Sequence, residues 1–434
     1  MSEPELLDLE VGNVANGGFC VARHEGRVVF VRHALPGERV RARVTDTTKN
    51  FLRADAVEII TASPDRVDAP CPFAGPGRCG GCDWQHASLP AQRRLKAAVV
   101  EEQLQRVAGI TRTVLVEDLE DPDALHPGLG WRTRVQFTAS HGAIGLRRHR
   151  SHDIEPIDEC LIAHPGVEEM GIERKTWPGA ASVEGIVSAT TGDRVVALKG
   201  SRKARVPHLD VPVRLARKGQ EKPPYIREQV GERLYQISGS GFWQVHPALA
   251  PLLADAVLDA LDPKPGEIAL DLYCGVGLFA GLLGDKVGPD GLVVGIESDA
   301  QSVHDAKFNL RDLPQVAIES GQVETVLPDL EFGRADGSTR TQSKRGGGHH
   351  RGARVQGADV VVLDPPRSGA GREVVDQIAR LATRKIAYVS CDPATLARDL
   401  AYFSERGWTL ETFRAFDAYP MTQHVECLAI LIKG

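Results

Sequence analysis

Short, uninterrupted apolar runs separated by amphipathic stretches fill the chain from about residue 241 to its end. Apolar runs of this kind are typical of strands buried on both faces of a parallel sheet. We therefore predict an α/β domain built on a doubly wound, mostly parallel sheet. Its predicted strands are residues 268–273, 292–297, 359–364, 385–391, 409–415 and 425–432, and its predicted helices are residues 302–313, 372–382 and 394–406.

Residues 1–60 show alternation instead, with apolar and polar positions following each other between Gly, Pro and charged turns. A period of two is typical of half-buried strands, which we predict at residues 19–22, 27–31 and 39–44. Short strands at this spacing indicate a small β-barrel, a fold that binds nucleic acids on a sheet face and its loops.

The middle of the chain, residues 61–240, combines one helix with strand-like segments rich in Arg and Lys. The helix is predicted over residues 90–108, which carry an apolar stripe. The basic segments are residues 131–137, 144–150 and 201–206. Their interleaved basic and apolar positions would present a charged face to phosphates, although an ordinary solvated face explains the pattern equally well.

One stretch of the C-terminal region interrupts the alternation of strands and helices. Residues 333–357 are rich in Gly, Arg, Ser and His. Because such a composition supplies little apolar surface to pack, we predict a disordered surface insertion. We do not expect its paired His349 and His350 to form a metal site.

The composition sets outer bounds on the fold and the compartment. The 434 residues are 42% hydrophobic, which allows two or three domains, and the net charge of −6 excludes a wholesale polycation but not a local basic face. The N-terminus lacks a basic and then apolar leader pattern, and no run reaches the about 18 apolar residues of a membrane span. We therefore expect a cytoplasmic protein, in which clustered Cys residues indicate metal binding or catalysis rather than disulfides.

Two polar segments that follow apolar strands carry the strongest chemical signal. Cys391 ends one predicted strand within Ser-Cys-Asp-Pro, and Asp364 ends the preceding strand within Asp-Pro-Pro-Arg. In open α/β sheets, ligands and chemistry collect at the carboxyl ends of strands. A lone Cys is more often a small buried residue, but one on a turn beside an acidic loop is a candidate nucleophile.

The first β–α turn of the sheet predicts a nucleotide-like cofactor. Gly275 and Gly277 allow the backbone to approach a ligand closely, and Glu297 ends the next strand, where an acid accepts hydrogen bonds from ribose hydroxyls. These features fit NAD as well as S-adenosylmethionine. The Asp-Pro-Pro segment at Asp364 resembles class I methyltransferases that act on bases, which favours the methyl donor.

Three Cys residues, Cys71, Cys79 and Cys82, lie in one loop rich in Gly and Pro, and Cys160 supplies a fourth thiol. Four thiolates suit zinc or a [4Fe–4S] cluster. The spacing differs from that of a zinc ribbon built from two Cys-x-x-Cys pairs. Buried, unligated thiols are the alternative.

Taken together, these segments resemble one family over essentially the whole chain. Residues 34–40 resemble the hallmark of the TRAM domain, an OB-like RNA-binding barrel. The chain as a whole resembles the RNA 5-methyluridine methyltransferases, and most closely the 23S rRNA branch that combines a TRAM domain with an iron–sulfur cluster. The segments that carry this resemblance are the cysteine loop and residues 148–160, 241–245, 271–275, 364–367, 390–399 and 424–426.

Three features depart from the family pattern. The first gap of the cysteine loop is longer, Leu278 stands where some relatives have Asn, and the insertion at 333–357 has no counterpart.

The resemblance implies three domains. These are a TRAM domain over residues 1–60, a β-rich central domain with the iron–sulfur cluster over residues 61–240, and a class I (Rossmann-like) S-adenosylmethionine methyltransferase domain over residues 241–434.

The resemblance also implies a role for each candidate residue. Cys391 would add to C6 of a flipped uridine, and Glu426 would remove the C5 proton as the base. Gln244 and Asp364 would lie where methyl donor and target base meet, while Tyr273 and Glu297 would hold the adenosine part of the donor. The ligands of the [4Fe–4S] cluster would be Cys71, Cys79, Cys82 and Cys160.

We therefore expect a monomeric enzyme that binds RNA and does not associate with a membrane. It would form 5-methyluridine in 23S rRNA or, alternatively, in the tRNA T-loop. Two other classes stay open. An amino-directed N-methyltransferase would need no Cys nucleophile, and a non-catalytic iron–sulfur RNA-binding protein would transfer no methyl group.

Overall fold

The computed structural model describes residues 5–119, 126–140, 142–217, 219–239, 241–335, 338–343, 353–355 and 357–434. Within these ranges, none of the helices is long and apolar enough to cross a membrane. The strands are β1 (Leu6–Glu10), β2 (Val14–Ala15), β3 (Phe19–His24), β4 (Arg27–Arg32), β5 (Arg39–Thr47), β6 (Phe51–Thr61), β7 (Val116–Glu117), β8 (Arg134–Ser140), β9 (Ala143–Arg147), β10 (Ile154–Pro156), β11 (Ala180–Val187), β12 (Arg194–Gly200), β13 (Arg214–Arg217), β14 (Tyr225–Val230), β15 (Arg233–Ser238), β16 (Ile268–Leu272), β17 (Leu292–Glu297), β18 (Val316–Ser320), β19 (Leu330–Ala335), β20 (Ser338–Ser343), β21 (Ala353–Val355), β22 (Ala358–Leu363), β23 (Ala382–Ser390), β24 (Trp408–Phe416) and β25 (Glu426–Lys433). The α-helices are α1 (Leu89–Ala108), α2 (Pro165–Glu168), α3 (Leu249–Leu261), α4 (Leu278–Val287), α5 (Ala300–Asn309), α6 (Val323–Val326), α7 (Gly371–Leu381) and α8 (Pro393–Ser404).

Strands β1 to β6 form a six-stranded sheet in the order β1-β5-β6-β4-β3-β2. Val29, Val31, Val40 and Leu52 point inward and are at most 4% exposed, so the period of two in the sequence becomes one buried face. The strands predicted at residues 19–22, 27–31 and 39–44 are confirmed, and β1, β2 and β6 complete the unit.

A second six-stranded sheet, in the order β10-β9-β8-β11-β12-β13, makes up most of the middle of the chain. Phe137, Trp177, Val183 and Val196 form its core and are fully buried. The basic segments at 131–137 and 144–150 contribute to β8 and β9. The segment at 201–206 forms a turn and a loop instead of a strand, between the end of β12 and Pro207.

The C-terminal region forms an eight-stranded sheet in the order β18-β17-β16-β22-β23-β25-β24-β7. Strands β16, β17, β18, β22 and β23 are parallel, whereas β25 is antiparallel to β23 and β24. The doubly wound α/β fold predicted for this region is confirmed. The chain order reverses between β16 and β22, and ligands bind in the crevice that opens at such a point.

Two elements within residues 61–240, the range assigned to the central domain, pack on the C-terminal sheet: the predicted helix, and a short strand that was not predicted. Helix α1 buries Val100 and Leu104 in the same core as α8, and β7 pairs in parallel with the edge strand β24. The hairpin β14–β15 joins the opposite core through Tyr235 and Ile237. The apolar stripe of α1 was visible in the sequence, but its two partners were not. Leu95 and Val99 pack on the N-terminal barrel, and Leu104 packs in the core with α8, close to 300 residues away.

Part of the segment predicted to be disordered forms strands. Residues 330–335, 338–343 and 353–355 pair as a small antiparallel sheet in the order β20-β19-β21. The Thr and Val residues in these strands favour extended backbone. Apart from Gly357, the rest of the segment, including His349 and His350, lies outside the described residues.

Candidate active site

A cleft of about 1490 Å³ opens at the carboxyl ends of β16, β22 and β23, and elements of the central sheet close its other side. The structure brings all six residues predicted for catalysis and donor binding to this cleft. They are Gln244, Tyr273, Glu297, Asp364, Cys391 and Glu426. The carboxyl ends of neighbouring parallel strands meet at one sheet edge, which is why residues far apart in sequence converge here.

Cys391 lies on the turn between β23 and α8 and is half-buried. The Asp392 side chain caps α8 by accepting the N–H groups of Ala394 and Thr395 at 3.1 and 2.9 Å, and the Ser390 hydroxyl accepts the Asp392 N–H at 3.2 Å. Both flanks of Cys391 are therefore fixed by hydrogen bonds. Burial raises the pKa of the Cys391 thiol to about 12, with a contribution from the negative charge of Glu426, whereas the Arg367 guanidinium opposes the rise.

Glu426 is the first residue of β25 and is only 2% exposed. Its Oε2 accepts a hydrogen bond from the Tyr419 hydroxyl at 2.9 Å. Burial, and next the negative charge of Asp364, raise the pKa of Glu426 to about 8, while the Tyr419 hydrogen bond and Arg367 oppose the rise. A carboxyl with a pKa near neutrality can both take up and release a proton at physiological pH.

Asp364 follows β22 directly, and burial raises its pKa to about 7. The loop that it begins is tied to α8, because Thr395 Oγ1 donates to the Arg367 carbonyl at 3.1 Å. Deeper in the fold, the buried Asp399 accepts the Ala370 N–H at 2.8 Å and the Tyr388 hydroxyl at 2.7 Å. The two polar segments singled out in the sequence are therefore one connected unit.

The glycine turn after β16 is held by two acidic side chains. Buried Asp271 accepts the N–H of Ala280 at 2.7 Å, and Glu297 accepts the N–H of Gly275 at 3.0 Å. Gly277 has φ +90°, and a Cβ there would lie 2.7 Å from Leu310 Cδ1, so this position requires glycine. Glu297 also accepts the N–H groups of Ser298 and Asp299 at 2.7 Å each.

Three contributors to this site were missed at the level of sequence. Asp271 was seen only as part of the glycine motif, Arg367 only as part of the Asp-Pro-Pro-Arg segment, and Tyr419 only as part of a turn. The spacing of Tyr419 and Glu426, seven residues apart across a reversal of the chain, could have suggested that the two side chains meet.

The four predicted cluster ligands lie close enough for their charges to interact. Burial raises the pKa of Cys82, and the negative charges of Cys160, Cys79 and Cys71 add to the rise. The Gly81 N–H donates to Cys79 Sγ at 3.4 Å, and Gln85 Nε2 donates to Cys82 Sγ at 3.3 Å. All four thiols are free. In the part of the chain that the structure describes, no group of three or more His, Cys, Asp or Glu side chains is placed to hold a metal ion, so the cluster stays a prediction.

Two family models match the chain. The model for tRNA (uracil-5-)-methyltransferase matches residues 223–434, and the model for the TRAM domain matches residues 5–57.

Two curated relatives match this chain over nearly its whole length. An uncharacterized RNA methyltransferase of Streptomyces coelicolor is 52% identical over 99% of this chain and 94% of its own length. Another from Corynebacterium efficiens is 33% identical over 100% of this chain and 96% of its own length. The crystal structure of Pyrococcus abyssi tRNA (uracil-54, C5)-methyltransferase, in complex with S-adenosyl-L-homocysteine, superposes with a TM-score of 0.69 at 21% identity. It covers 98% of this chain and 100% of its own, and supports the fold described above.

Proposed function

Because the chain belongs to the tRNA (uracil-5-)-methyltransferase family and is an RNA uracil-C5 methyltransferase, we propose that it uses S-adenosylmethionine to form 5-methyluridine through a covalent adduct on Cys391. The observation that carries this proposal is the convergence of Cys391, Glu426 and Asp364 in one cleft beside the glycine turn. A nucleophile, a base with a raised pKa and a donor pocket are the parts that this reaction needs.

The proposed reaction begins at C6 of the uracil, because C5 is too weak a nucleophile to attack a sulfonium methyl group directly. The Cys391 thiolate forms a bond to C6, and the electron pair of the C5=C6 bond moves into an enolate. C5 then takes the methyl group, and the donor sulfur keeps the electron pair of the broken bond. Glu426 removes the C5 proton, the C5=C6 bond forms again, and the C6–S electrons return to Cys391.

The donor would lie along the glycine turn. Its methyl group would be directed between Gln244 and Asp364, while Tyr273 and Glu297 would hold the adenosine part. The Glu297 carboxylate, already oriented by three backbone N–H groups, is suited to accept ribose hydroxyls. Arg367, whose charge favours the Cys391 thiolate, would support the nucleophile.

The chemistry of the four thiols fits a [4Fe–4S] cluster, since each is free and N–H donors point at two of the sulfurs. We propose that Cys71, Cys79, Cys82 and Cys160 hold it. When bound, the cluster would supply metal–sulfur bonds that tie the cysteine loop to Cys160, and its role is structural because the proposed methyl transfer consumes no electrons. Iron and sulfide analysis of anaerobically purified protein, with Cys160→Ala as the variant expected to lose iron, tests this assignment.

The proposed substrate is 23S rRNA, acted on by a monomer in the cytoplasm. The support is the combination of a TRAM match at residues 5–57 with four clustered thiols, which resembles the rRNA branch of the family. The tRNA T-loop is the alternative, since the matching family model carries a tRNA name.

The decisive experiment gives anaerobically purified protein unmodified 23S rRNA and tRNA transcripts with S-adenosylmethionine, and quantifies 5-methyluridine by nucleoside mass spectrometry. We expect 5-methyluridine in the rRNA and none with Cys391→Ala. Product in tRNA alone would reassign the substrate. Full activity of Cys391→Ala would favour an amino-directed methyltransferase, and RNA binding without methylation would favour a non-catalytic protein.

A further inference from the structure

The loop between β24 and β25, residues 417–424, is hydrogen-bonded by residues that lie outside the range matched by the methyltransferase family model. The loop carries Tyr419, whose hydroxyl donates to Glu426. Its backbone is bound by side chains and N–H groups of residues 83–96, which lie far upstream of the matched residues 223–434. We call this upstream group the α1 clamp, defined by Asp83, Trp84, Gln92 and Lys96.

The centre of the clamp is a pair of fully buried polar side chains on α1. Gln92 and Lys96 are both 0% exposed, which is rare for a lysine. Lys96 Nζ donates to the Tyr419 carbonyl at 3.0 Å and forms an ion pair with Asp417, which is 1% exposed. The charge of Asp83 also faces Lys96, as does that of Arg93.

Gln92 ties the same loop to the turn that precedes α1. Its Oε1 accepts the Met421 N–H at 2.7 Å, and its Nε2 donates to the carbonyls of Trp84 and Ala87 at 3.1 and 2.9 Å. The Met421 carbonyl in turn accepts the N–H groups of Asp83 and Trp84 at 2.9 and 3.0 Å. Asp83 Oδ2 accepts the Gln423 N–H at 3.1 Å.

The loop is bound in a conformation that it would not adopt by itself. Met421 has φ +68°, a left-handed conformation that is costly for a residue with a Cβ and is stable only where the surroundings impose it. The α1 clamp grips both the N–H and the carbonyl of this residue. A buried ion pair contributes little net stability compared with well-packed apolar residues. A contribution to stability therefore does not by itself explain why Lys96 and Asp417 occupy these buried positions.

We propose that Gln92 and Lys96 are positioning residues that hold loop 417–424 so that the Tyr419 hydroxyl stays on the Glu426 carboxylate. The inference rests on the proposed function, in which Glu426 removes the C5 proton. It extends that function to residues that touch neither substrate nor donor. Without the clamp, the backbone of Met421 returns to an unstrained conformation and the Tyr419 hydroxyl loses its hydrogen bond to Glu426. The rate of proton removal then falls, whereas the rate of the preceding methyl transfer is unchanged.

The test separates the two halves of the reaction in the full-length protein. Single-turnover assays with methyl-labelled S-adenosylmethionine measure methyl transfer to RNA, and denaturing gels measure the methylated protein–RNA adduct that awaits proton removal. The variants are Gln92→Met and the double substitution Lys96→Met with Asp417→Leu, which leaves no unpaired buried charge. The control on the same helix is Arg94→Met, because Arg94 is exposed and pairs only with Asp65 among the described residues.

Both clamp variants should release product about tenfold more slowly or worse, since small misplacements of catalytic groups cost up to about 10²-fold. Methyl transfer should stay within about twofold of wild type, so the methylated adduct accumulates. The pH midpoint of release should rise, because Glu426 loses the Tyr419 hydrogen bond while Asp364, Cys391 and Arg367 still face it. Arg94→Met should behave as wild type.

Two results would overturn the inference. One is wild-type release and an unshifted pH midpoint in both clamp variants. The other is an equal loss of both steps, which indicates general destabilisation. Failure of the proposed function would look different, because wild-type protein would then form no adduct and Glu426→Gln would trap none.

Discussion

The two sides of the active-site cleft hold their acidic side chains in opposite ways. On the donor side, Glu297 accepts three backbone N–H groups at 2.7–3.0 Å, which fix the orientation of its carboxylate. On the base side, Glu426 is 2% exposed and receives a single hydrogen bond from the Tyr419 hydroxyl, and burial together with the negative charge of Asp364 raises its pKa. The donor side is therefore built to bind, and the base side to exchange a proton.

The largest effect is expected from removing the catalytic base on the base side of the cleft. Glu426→Gln should lower turnover by about 10²–10⁴-fold, the usual contribution of a general base, because the C5 proton has no acceptor. Methyl transfer itself should continue, so a methylated protein–RNA adduct should appear on denaturing gels. Glu405→Gln, which alters an exposed acid in the same domain, is the matched control. Normal turnover by Glu426→Gln would assign the base role elsewhere.

The pH dependence of product release tests the raised pKa of the base. Burial raises the pKa of Glu426 to about 8, so product release should fall about tenfold for each pH unit below that value, as the carboxylate fraction falls. Tyr419→Phe removes a hydrogen bond that favours the carboxylate, and the midpoint should therefore move to higher pH. A midpoint close to that of an ordinary glutamate would contradict the burial argument. The measurement is the pH profile of single-turnover product release.

A smaller effect is expected on the donor side. Glu297→Gln should raise the KM for S-adenosylmethionine by about 10–100-fold, because hydrogen bonds to a charged acceptor contribute about 1.5–3 kcal/mol. The kcat at saturating donor should change little, since Glu297 takes no part in proton transfer. Initial-rate kinetics at varied donor concentration check this, and a fall in kcat with unchanged KM would contradict it.

The smallest effects are expected from removing two equivalent helix caps, one on each side of the cleft. Asp299 caps α5 on the donor side, and Asp392 caps α8 on the base side. Asp299→Ala and Asp392→Ala should each lower the free energy of unfolding by about 1 kcal/mol in denaturant titrations. Asp392→Ala alone should also slow covalent trapping by 5-fluorouridine RNA, because Asp392 fixes the turn that carries Cys391. Equal trapping rates would show that the cap serves stability only.

The sequence predicted the parts of this molecule that repeat a local pattern. The apolar runs located six of the eight strands of the C-terminal sheet within a few residues, all but β18 and β7. The segments at Asp364 and Cys391 located the chemistry, because strand ends share one edge. The features that could not be predicted depend on contacts between residues far apart in the sequence. Nothing near Lys96 indicates that its charge is buried against Asp417, since the partner lies 321 residues away.

The same limit explains the misplaced elements. Helix α1 and strand β7 show ordinary local signals, and the two-residue β7 is too short to show a period at all. Their assignment to the C-terminal sheet follows only from pairing with β24 and packing against α8.

The pairing of β7 with β24 also constrains how the protein is made. Val116 emerges from the ribosome about 300 residues before its partner Ala415. At about 5–20 residues per second, the wait is on the order of 15–60 s, during which Val100 and Leu104 of α1 have no C-terminal core to pack into, although Leu95 and Val99 can already pack on the N-terminal barrel. The last strands synthesised, β24 and β25, complete the sheet and bury that surface. Premature termination anywhere upstream of them would leave a nascent chain that depends on chaperones, however well the N-terminal sheet has already folded.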